Sequence, residues 1–458
     1  MSHIKYDHYK KSNIYWVGNI PSHWETIPVK HHFFSKKQVA GNLADNYQRL
    51  ALTLNGVIKR SKEDAEGLQP EKFETYQIVH KDSLIFKLID LENIKTSRIG
   101  LSKWDGLVSP AYIILSSNGD ILPNYAEKYF LNMWHEHIFN QLGSVGVRSN
   151  LNKEDVLNLP IIKPPLNEQQ QIASYLDKKT AKIDTTIAKN EELIQLLEEK
   201  RVALINQVIA KGLNPDVPMK DSGVEWIGEI PEHWDVVPFK RLFDNIKDGT
   251  HGSFQRVADG EPLLSAKNVF NDTINISENE SLISQEDYNS IVANGFPKRN
   301  DLLLTIVGTI GRSCVYDKDF PLAFQRSVAF IRLTYDDPYF YNYFVKSDIF
   351  FSQLMINAKE SAQKGVYLND IKECLVIRPP IEIQSEIANY LQNHISKINK
   401  IISKIQENIT LLEEYKTSLI HHVVTGKIDV RGEEISAVIL QKKASKMILL
   451  HILQALAM

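Results

Sequence analysis

The sequence predicts an α+β protein: two mixed α/β domains in pseudo-twofold arrangement, separated by two long helices pairing as an antiparallel coiled coil. Three observations in the 458-residue chain carry this. One phrase is spelled twice: Trp16-Val-Gly18-Asn-Ile20-Pro21-Ser-His23-Trp24 returns as Trp226-Ile-Gly228-Glu-Ile230-Pro231-Glu-His233-Trp234, every shared residue displaced by 210. A second phrase, Pro164-Pro165, Gln169, Ile172-Ala173 and Tyr175-Leu176, returns 215 positions later from Pro379-Pro380 to Tyr390-Leu391. Each copy of the second phrase opens a long stretch free of helix breakers. The expected organisation is a first domain over 1–165, a central long helix over 166–212, a second domain over 213–380, a C-terminal long helix over 381–428 and a tail over 429–458.

The helices are read from period and caps. After Pro164-Pro165, Asn167 is placed to act as N-cap with Gln170 three residues on, and Glu168 suits the positive end of a helix dipole. No Pro or Gly follows until Gly212, a run of about 44 residues or roughly 66 Å at 1.5 Å per residue. A 4,3 spacing selects Ile183, Ile187, Asn190, Ile194, Leu197, Arg201, Leu204 and Val208. The same spacing, 215 later, selects Ile398, Ile402, Ile405, Ile409, Leu412, Lys416, Leu419 and Val423. One narrow apolar seam cannot bury a lone helix, so two such helices should pair. A pseudo-twofold relation makes the pair antiparallel.

The remaining segments read as mixed α/β. Strand-like runs at Ser83–Leu88, Ala111–Leu115, Asp301–Val307 and Ser327–Leu333 lie between Gly, Asn, Asp and Pro turns. Amphipathic helical stretches are expected at Tyr125–Gln141 and Pro338–Asn357. The two copies share their ends and diverge in their middles, as two domains reading different targets would.

Composition narrows the function. A hydrophobic share of 43% and a charged share of 24% are ordinary for a globular chain. Cys314 and Cys374 show no CxxC spacing, which argues against a zinc site or disulfide framework and fits a reducing cytoplasm. The polar start predicts no signal peptide, and the apolar run Met447–Met458 is too short to span a bilayer. There is no GxxxxGK[ST], no GxGxxG after a strand, no HExxH and no GxSxG, so no catalytic or metal residue is expected. The net charge is −3, and residues 213–380 hold 17 basic against 24 acidic side chains. Phosphate neutralisation supplies most nucleic-acid affinity. A DNA-binding role would therefore call for a partner that adds positive surface.

Two similar surfaces suit a ligand with two separated sites, and duplex DNA is one. The residues selected for contact are Lys36, Lys37, Arg60, Arg98 and Arg148 in the first domain. In the second they are Lys247, Thr250, His251, Lys267, Asn268, Thr309, Arg312, Gln325 and Arg326. Small residues let backbone approach phosphate, and Arg or Asn can pair with base edges. The regular tryptophans and His23 and His233 are expected to pack, fastening each domain to the helices.

The two Trp phrases, the Pro-Pro-x-x-x-Gln-x-x-Ile-Ala-x-Tyr-Leu helix starts and the closing Val424-Thr425-Gly426-Lys427-Ile428-Asp429 resemble the DNA-specificity subunit of type I restriction–modification enzymes. The resemblance covers residues 13–432. It implies two target-recognition domains, each reading half of a bipartite, asymmetric double-stranded DNA site. The helices then act as a spacer and as a dock for two modification (methyltransferase) subunits, with restriction (motor-nuclease) subunits completing the enzyme. It implies a non-catalytic cytoplasmic chain without a cofactor of its own, S-adenosylmethionine, ATP and Mg belonging to the partner subunits. The tail beyond Gly432 departs from the family pattern. Two other readings remain open at this point: a specificity subunit for a different methyltransferase–nuclease architecture, and a coiled-coil adaptor that reads no bases.

Overall fold

The computed structural model describes residues 5–64, 72–92, 96–143, 150–270, 272–358 and 365–432. The chain forms two compact units, one of residues 1–191 with 405–458 and one of residues 192–404. The central helix, Leu166–Lys211, and the C-terminal helix, Ile381–Val424, are therefore shared between units and are not separate bodies.

In the first unit, the hairpin Tyr9–Lys11/Asn19–Pro21 leads to strand Glu25–Pro28, which pairs antiparallel with Pro160–Lys163 at the foot of the central helix. Two four-stranded sheets follow. One runs Phe33–Phe34, Ile113–Ser117, Leu84–Phe86, Ile99–Leu101, and the other Gly56–Arg60, Arg49–Thr53, Gly106–Val108, Gln77–Val79. The second unit repeats the plan. Hairpin Met219–Asp221/Glu229–Pro231 and the pair Asp235–Pro238/Leu375–Arg378 form its base. Its four-stranded sheet is Phe243–Asp248, Val328–Leu333, Leu302–Thr305, Ser313–Val315, beside a three-stranded sheet Leu282–Ile283, Glu261–Leu264, Ala323–Phe324. The four expected strands are present.

Both expected domain helices are broken. Tyr125–Gln141 becomes Pro123–His135 and Ile138–Leu142, because His137 adopts φ 55. Pro338–Asn357 becomes Pro338–Phe344 and Asp348–Asn357, where buried Ser347 donates its hydroxyl to the Phe344 carbonyl and starts a new helix.

The central helix starts at Leu166, so Asn167 is inside it and is not the cap. Gln169 instead ties the helix start to the domain: its Nε2 donates to the Pro164 carbonyl at 2.8 Å while its Oε1 accepts from the Leu122 N–H at 2.8 Å. Gln384 repeats both bonds, to the Pro379 carbonyl (2.9 Å) and from the Asp337 N–H (2.8 Å). Tyr125 and Tyr341, both buried, likewise donate to the carbonyls of Ile162 and Ile377.

Within each unit the two helices run antiparallel. In the first, Ile183 and Ile187 share a core with Leu412, Leu419 and Val423, and Asp184 faces Lys416 at 2.6 Å. In the second, Ile205, Val208 and Ile209 share a core with Ile387, Leu391 and Ile395, and Arg201 donates to Asn399 at 3.0 Å. The two polar interruptions of the seams thus meet partners that are themselves 215 residues apart.

The packing expected of the tryptophan phrases holds for their second tryptophans only: Trp16 is half-buried, while Trp226, His23 and His233 are exposed. Trp24 and Trp234 are fully buried. Each meets the glycine that ends a long helix, Trp24 at Gly426 (φ 70) and Trp234 at Gly212 (φ 73), where a Cβ would come within 2.9 and 3.1 Å of the indole. A left-handed C-terminal residue closes a helix most cheaply as glycine. Lys427 then donates to the Val17 and Asn19 carbonyls, stitching the closing phrase to the opening one.

Candidate nucleic-acid interface

Strand register brings the second unit's selected loops to one rim. Asp248, the last residue of its strand, lies opposite Ala329 near the start of the next. Thr305 ends a strand opposite Val328, and Ser313 begins one opposite Leu304. The turns 249–252, 306–312 and 325–327 therefore leave the same end of one sheet. Glu261–Leu264 runs parallel to Ala323–Phe324, so the turn 265–268 joins them, with Ala266 N–H donating to Ser327 Oγ at 3.0 Å.

The rim is tightly built. Thr250 N–H donates to the Phe324 carbonyl (2.8 Å) and Arg326 N–H to the Thr250 carbonyl (3.0 Å). Gly249 lies so near that a Cβ would sit 2.2 Å from the Phe324 carbonyl oxygen. His251, exposed, bonds Asp248 through Nε2 at 2.8 Å. Thr309 and Arg326 are exposed, and Gln325 and Arg312 are half-buried. The Arg312 guanidinium lies 5.0 Å from the centroid of the exposed Phe270 ring, within cation–π range. Among the described residues, neither Arg312 nor Arg326 has a hydrogen-bond or ion-pair partner for its guanidinium.

Other selected residues are committed internally. Asn268 is buried: its Oδ1 caps the Ser265 N–H and its Nδ2 donates to Asn275 and Glu280. It is a structural residue, which corrects its selection as a contact. Lys267 is ion-paired with Glu280. Burial would raise the Glu280 carboxyl, but the bonds from Lys267 and Asn268 hold it below its ordinary range. Lys247 spends its ammonium on the Asn294 carbonyl at 2.6 Å.

The first unit differs. Arg98 is fully buried, with Nη2 donating to the Asp90 carbonyl at 2.6 Å and Nη1 reaching the Lys87 and Ile89 carbonyls. It holds the 87–90 loop from inside and is unavailable to DNA, a second correction. Arg60 is half-buried beside Asp64. Lys36 and Lys37 are exposed in the loop after Phe33–Phe34, a strand antiparallel to Ile113–Ser117. Arg148 lies outside the described residues, as does the tail from 433 on.

Sequence reading missed Glu168, assigned only to the helix dipole. Buried in the first unit, it accepts from Trp24 Nε1 (3.0 Å) and Tyr6 OH (3.1 Å) and meets His23 Nε2 at 2.8 Å. Burial and the Glu168 charge push the Tyr6 phenol up, so it stays a donor. Among the described residues no His/Cys/Asp/Glu group can hold a metal, and no helix is long and apolar enough to cross a membrane.

Comparison with known proteins places this geometry. The family model described as the type I restriction modification DNA specificity domain matches residues 33–195 and again 231–411, once in each repeat. The type I restriction enzyme EcoBI specificity subunit of Escherichia coli is 25% identical over 298 residues, 61% of this chain and 62% of that one. The chain thus matches less than two thirds of that relative's length. The MjaVIII specificity subunit of Methanocaldococcus jannaschii is 27% identical over 393 residues, 81% of this chain and 88% of that one. A chain solved in work on complex assembly and conformational transition of the type I R-M system shares the fold. It has a TM-score of 0.64 and 14% identity, over 88% of this chain and 98% of the other.

Proposed function

The chain belongs to the family of type I restriction modification DNA specificity domains, and from that premise we propose that it is the DNA-reading, non-catalytic subunit of such a system. Each repeated unit reads one half of a bipartite double-stranded site. Two modification subunits dock on the long helices and supply S-adenosylmethionine-dependent methylation. Restriction subunits add ATP- and Mg-dependent translocation and cleavage, and the assembly works in the cytoplasm. The observation that carries the reading is the family match recurring once per unit. In the second unit that match spans a rim built from four turns, where the guanidinium groups of Arg312 and Arg326 have no hydrogen-bond or ion-pair partner among the described residues. A coiled-coil adaptor would have no use for unspent donors held on so rigid a frame.

The assignment is tested by replacing residues 240–365 with the corresponding segment of a relative and sequencing the methylated sites in a host carrying the intact system. One half of the site should change while the other stays. A simultaneous change in both halves would refute independent reading. The acidic excess of residues 213–380 also predicts that the isolated chain binds its site weakly, and that modification subunits raise affinity at fixed salt.

A further inference from the structure

The turn between strands Leu302–Thr305 and Ser313–Val315 differs from its neighbours on the second unit's rim. Its two glycines, Gly308 and Gly311, have φ of 78° and 89°. Thr305 ties down its far end twice, its N–H donating to the Arg312 carbonyl (2.8 Å) and its Oγ1 accepting from the Arg312 N–H (2.9 Å). Gly311 N–H donates to the Thr305 carbonyl at 3.0 Å. Val307 bridges Gly365 antiparallel at the start of the turn, and among the described residues the N–H groups of Thr309 and Ile310 meet no acceptor. Gly308 and Thr309 are exposed, and the Thr309 hydroxyl is on the same turn.

Unspent backbone N–H groups around a left-handed residue form a concavity suited to an anion. Arg312 adds a positive charge whose guanidinium has no hydrogen-bond or ion-pair partner among the described residues. Its guanidinium is steadied by Phe270, and Phe270 is itself fixed. The hairpin Val269–Phe270/Thr273–Ile274 turns at Asp272, which accepts from Asn342 Nδ2 at 3.2 Å and is ion-paired with Lys346. Asn342 in turn accepts from Ser313 Oγ at 2.8 Å, one residue from Arg312. Turn and aromatic support are thus locked to one helix. A preformed cup of N–H groups beside one cation fits a tetrahedral oxyanion.

We infer that the Gly308–Arg312 turn is a clamp for one phosphate of the DNA backbone, with Phe270 as the positioning residue beneath Arg312, leaving base reading to the Thr250–His251 and Gln325–Arg326 turns. This rests on the DNA-reading function proposed above. Arg312 then sets affinity and register without carrying sequence information.

The test uses the full chain assembled with the modification subunits of its own system. Cognate and scrambled duplexes are titrated over a range of salt. Arg312→Ala should weaken both duplexes by a similar several-fold factor and flatten the salt dependence by about 0.9 in log–log slope, the loss of one phosphate contact. Arg312→Lys should recover most of the binding, since a phosphate accepts a point charge. The methylated sequence should be unchanged in both variants. Phe270→Leu should lower affinity in the same sequence-independent way. As a measurement that survives a poorly folding variant, single methylphosphonate substitutions are scanned through the second half-site. One neutralised phosphate should weaken the wild type, and the same substitution should cost Arg312→Ala clearly less, since only the turn's N–H groups still face it. Loss confined to the cognate duplex, or altered preference at one base, would overturn the clamp in favour of base reading. Absence of any sequence-selective binding by the wild-type assembly would instead refute the DNA-reading function itself.

Discussion

The two units close around their tryptophans with the same frame and different chemistry. Trp24 gives its indole N–H to Glu168, which Tyr6 and His23 also engage. At the position 215 residues on stands Ile383, half-buried, and Trp234 donates to its own neighbour His233 at 3.1 Å. Glu386, Ile383, Gly212 and His233 line a small cleft there. What stays constant is the set of bonds to backbone: Gln169 and Gln384 on the Pro-Pro carbonyls, Tyr125 and Tyr341 on the strand carbonyls. What drifts is where side chain meets side chain. Backbone polar groups exist whatever the sequence, so their partners are hard to exchange. A side-chain network can be replaced wholesale by apolar packing at little cost.

That contrast is broken most severely at Glu168. Glu168→Ala leaves the buried Trp24 N–H and Tyr6 hydroxyl without an acceptor, each worth about 1–3 kcal/mol. We expect a loss of roughly 3–5 kcal/mol in the first unit, while the exposed Glu386→Ala in the second changes stability by no more than about 0.5 kcal/mol. Hydrogen exchange in peptides from 5–34 and 219–243 reads the two units separately. Equal protection losses in both would show that the Glu168 network is not local to one unit.

A smaller asymmetry is titratable. His135, in the first unit, is held at about 4 by burial and by the Lys416 charge. Its folded pKa is below its unfolded value of about 6.5, so the unfolded chain binds the extra proton between those limits and stability rises with pH there. Taking the first unit from pH 7 to pH 4 should cost up to about 3 kcal/mol through this residue. His135→Leu should flatten that part of the pH–stability curve. A curve of unchanged slope in the variant would assign the acid sensitivity elsewhere.

How much of this could be read from sequence divides along the same line. The duplicated phrases, the antiparallel seam and the packing of Trp24 and Trp234 follow from period and spacing, which the backbone imposes, whereas Trp226 in the same phrase stays exposed. The helix breaks at His137 and Ser347 carry no Pro or Gly signal. Arg98 and Arg312 each sit beside an Ile-Gly pair, yet one turns inward onto three carbonyls and the other outward over Phe270. The intervening loops, 87–98 and 306–312, differ in length, and the arginine precedes the Ile-Gly pair in one and follows it in the other; no local rule converts that into burial. Glu168 draws its donors from residues 6, 23 and 24, so its role appears only when the N-terminal segment meets the start of the central helix.

The smallest effect sharpens the comparison along the seams. Lys416 pairs with Asp184 in the first unit, and Arg201 with Asn399 in the second, the four positions being two pairs displaced by 215. The first is an ion pair between partly exposed groups, the second a bond from a guanidinium to a neutral amide. Partly exposed pairs of this kind contribute about 0–1 kcal/mol and weaken as salt rises. Asp184→Asn should therefore cost a few tenths of a kcal/mol at low salt and nothing measurable near 1 M. Asn399→Asp should do the reverse, adding a similar amount at low salt by giving Arg201 a charged partner, with the gain fading on the same salt scale. Thermal unfolding of the two variants at low and high salt is the measurement. If Asn399→Asp destabilises at low salt, the Arg201 charge is already balanced within the seam and the two interruptions are alike in position but not in electrostatics.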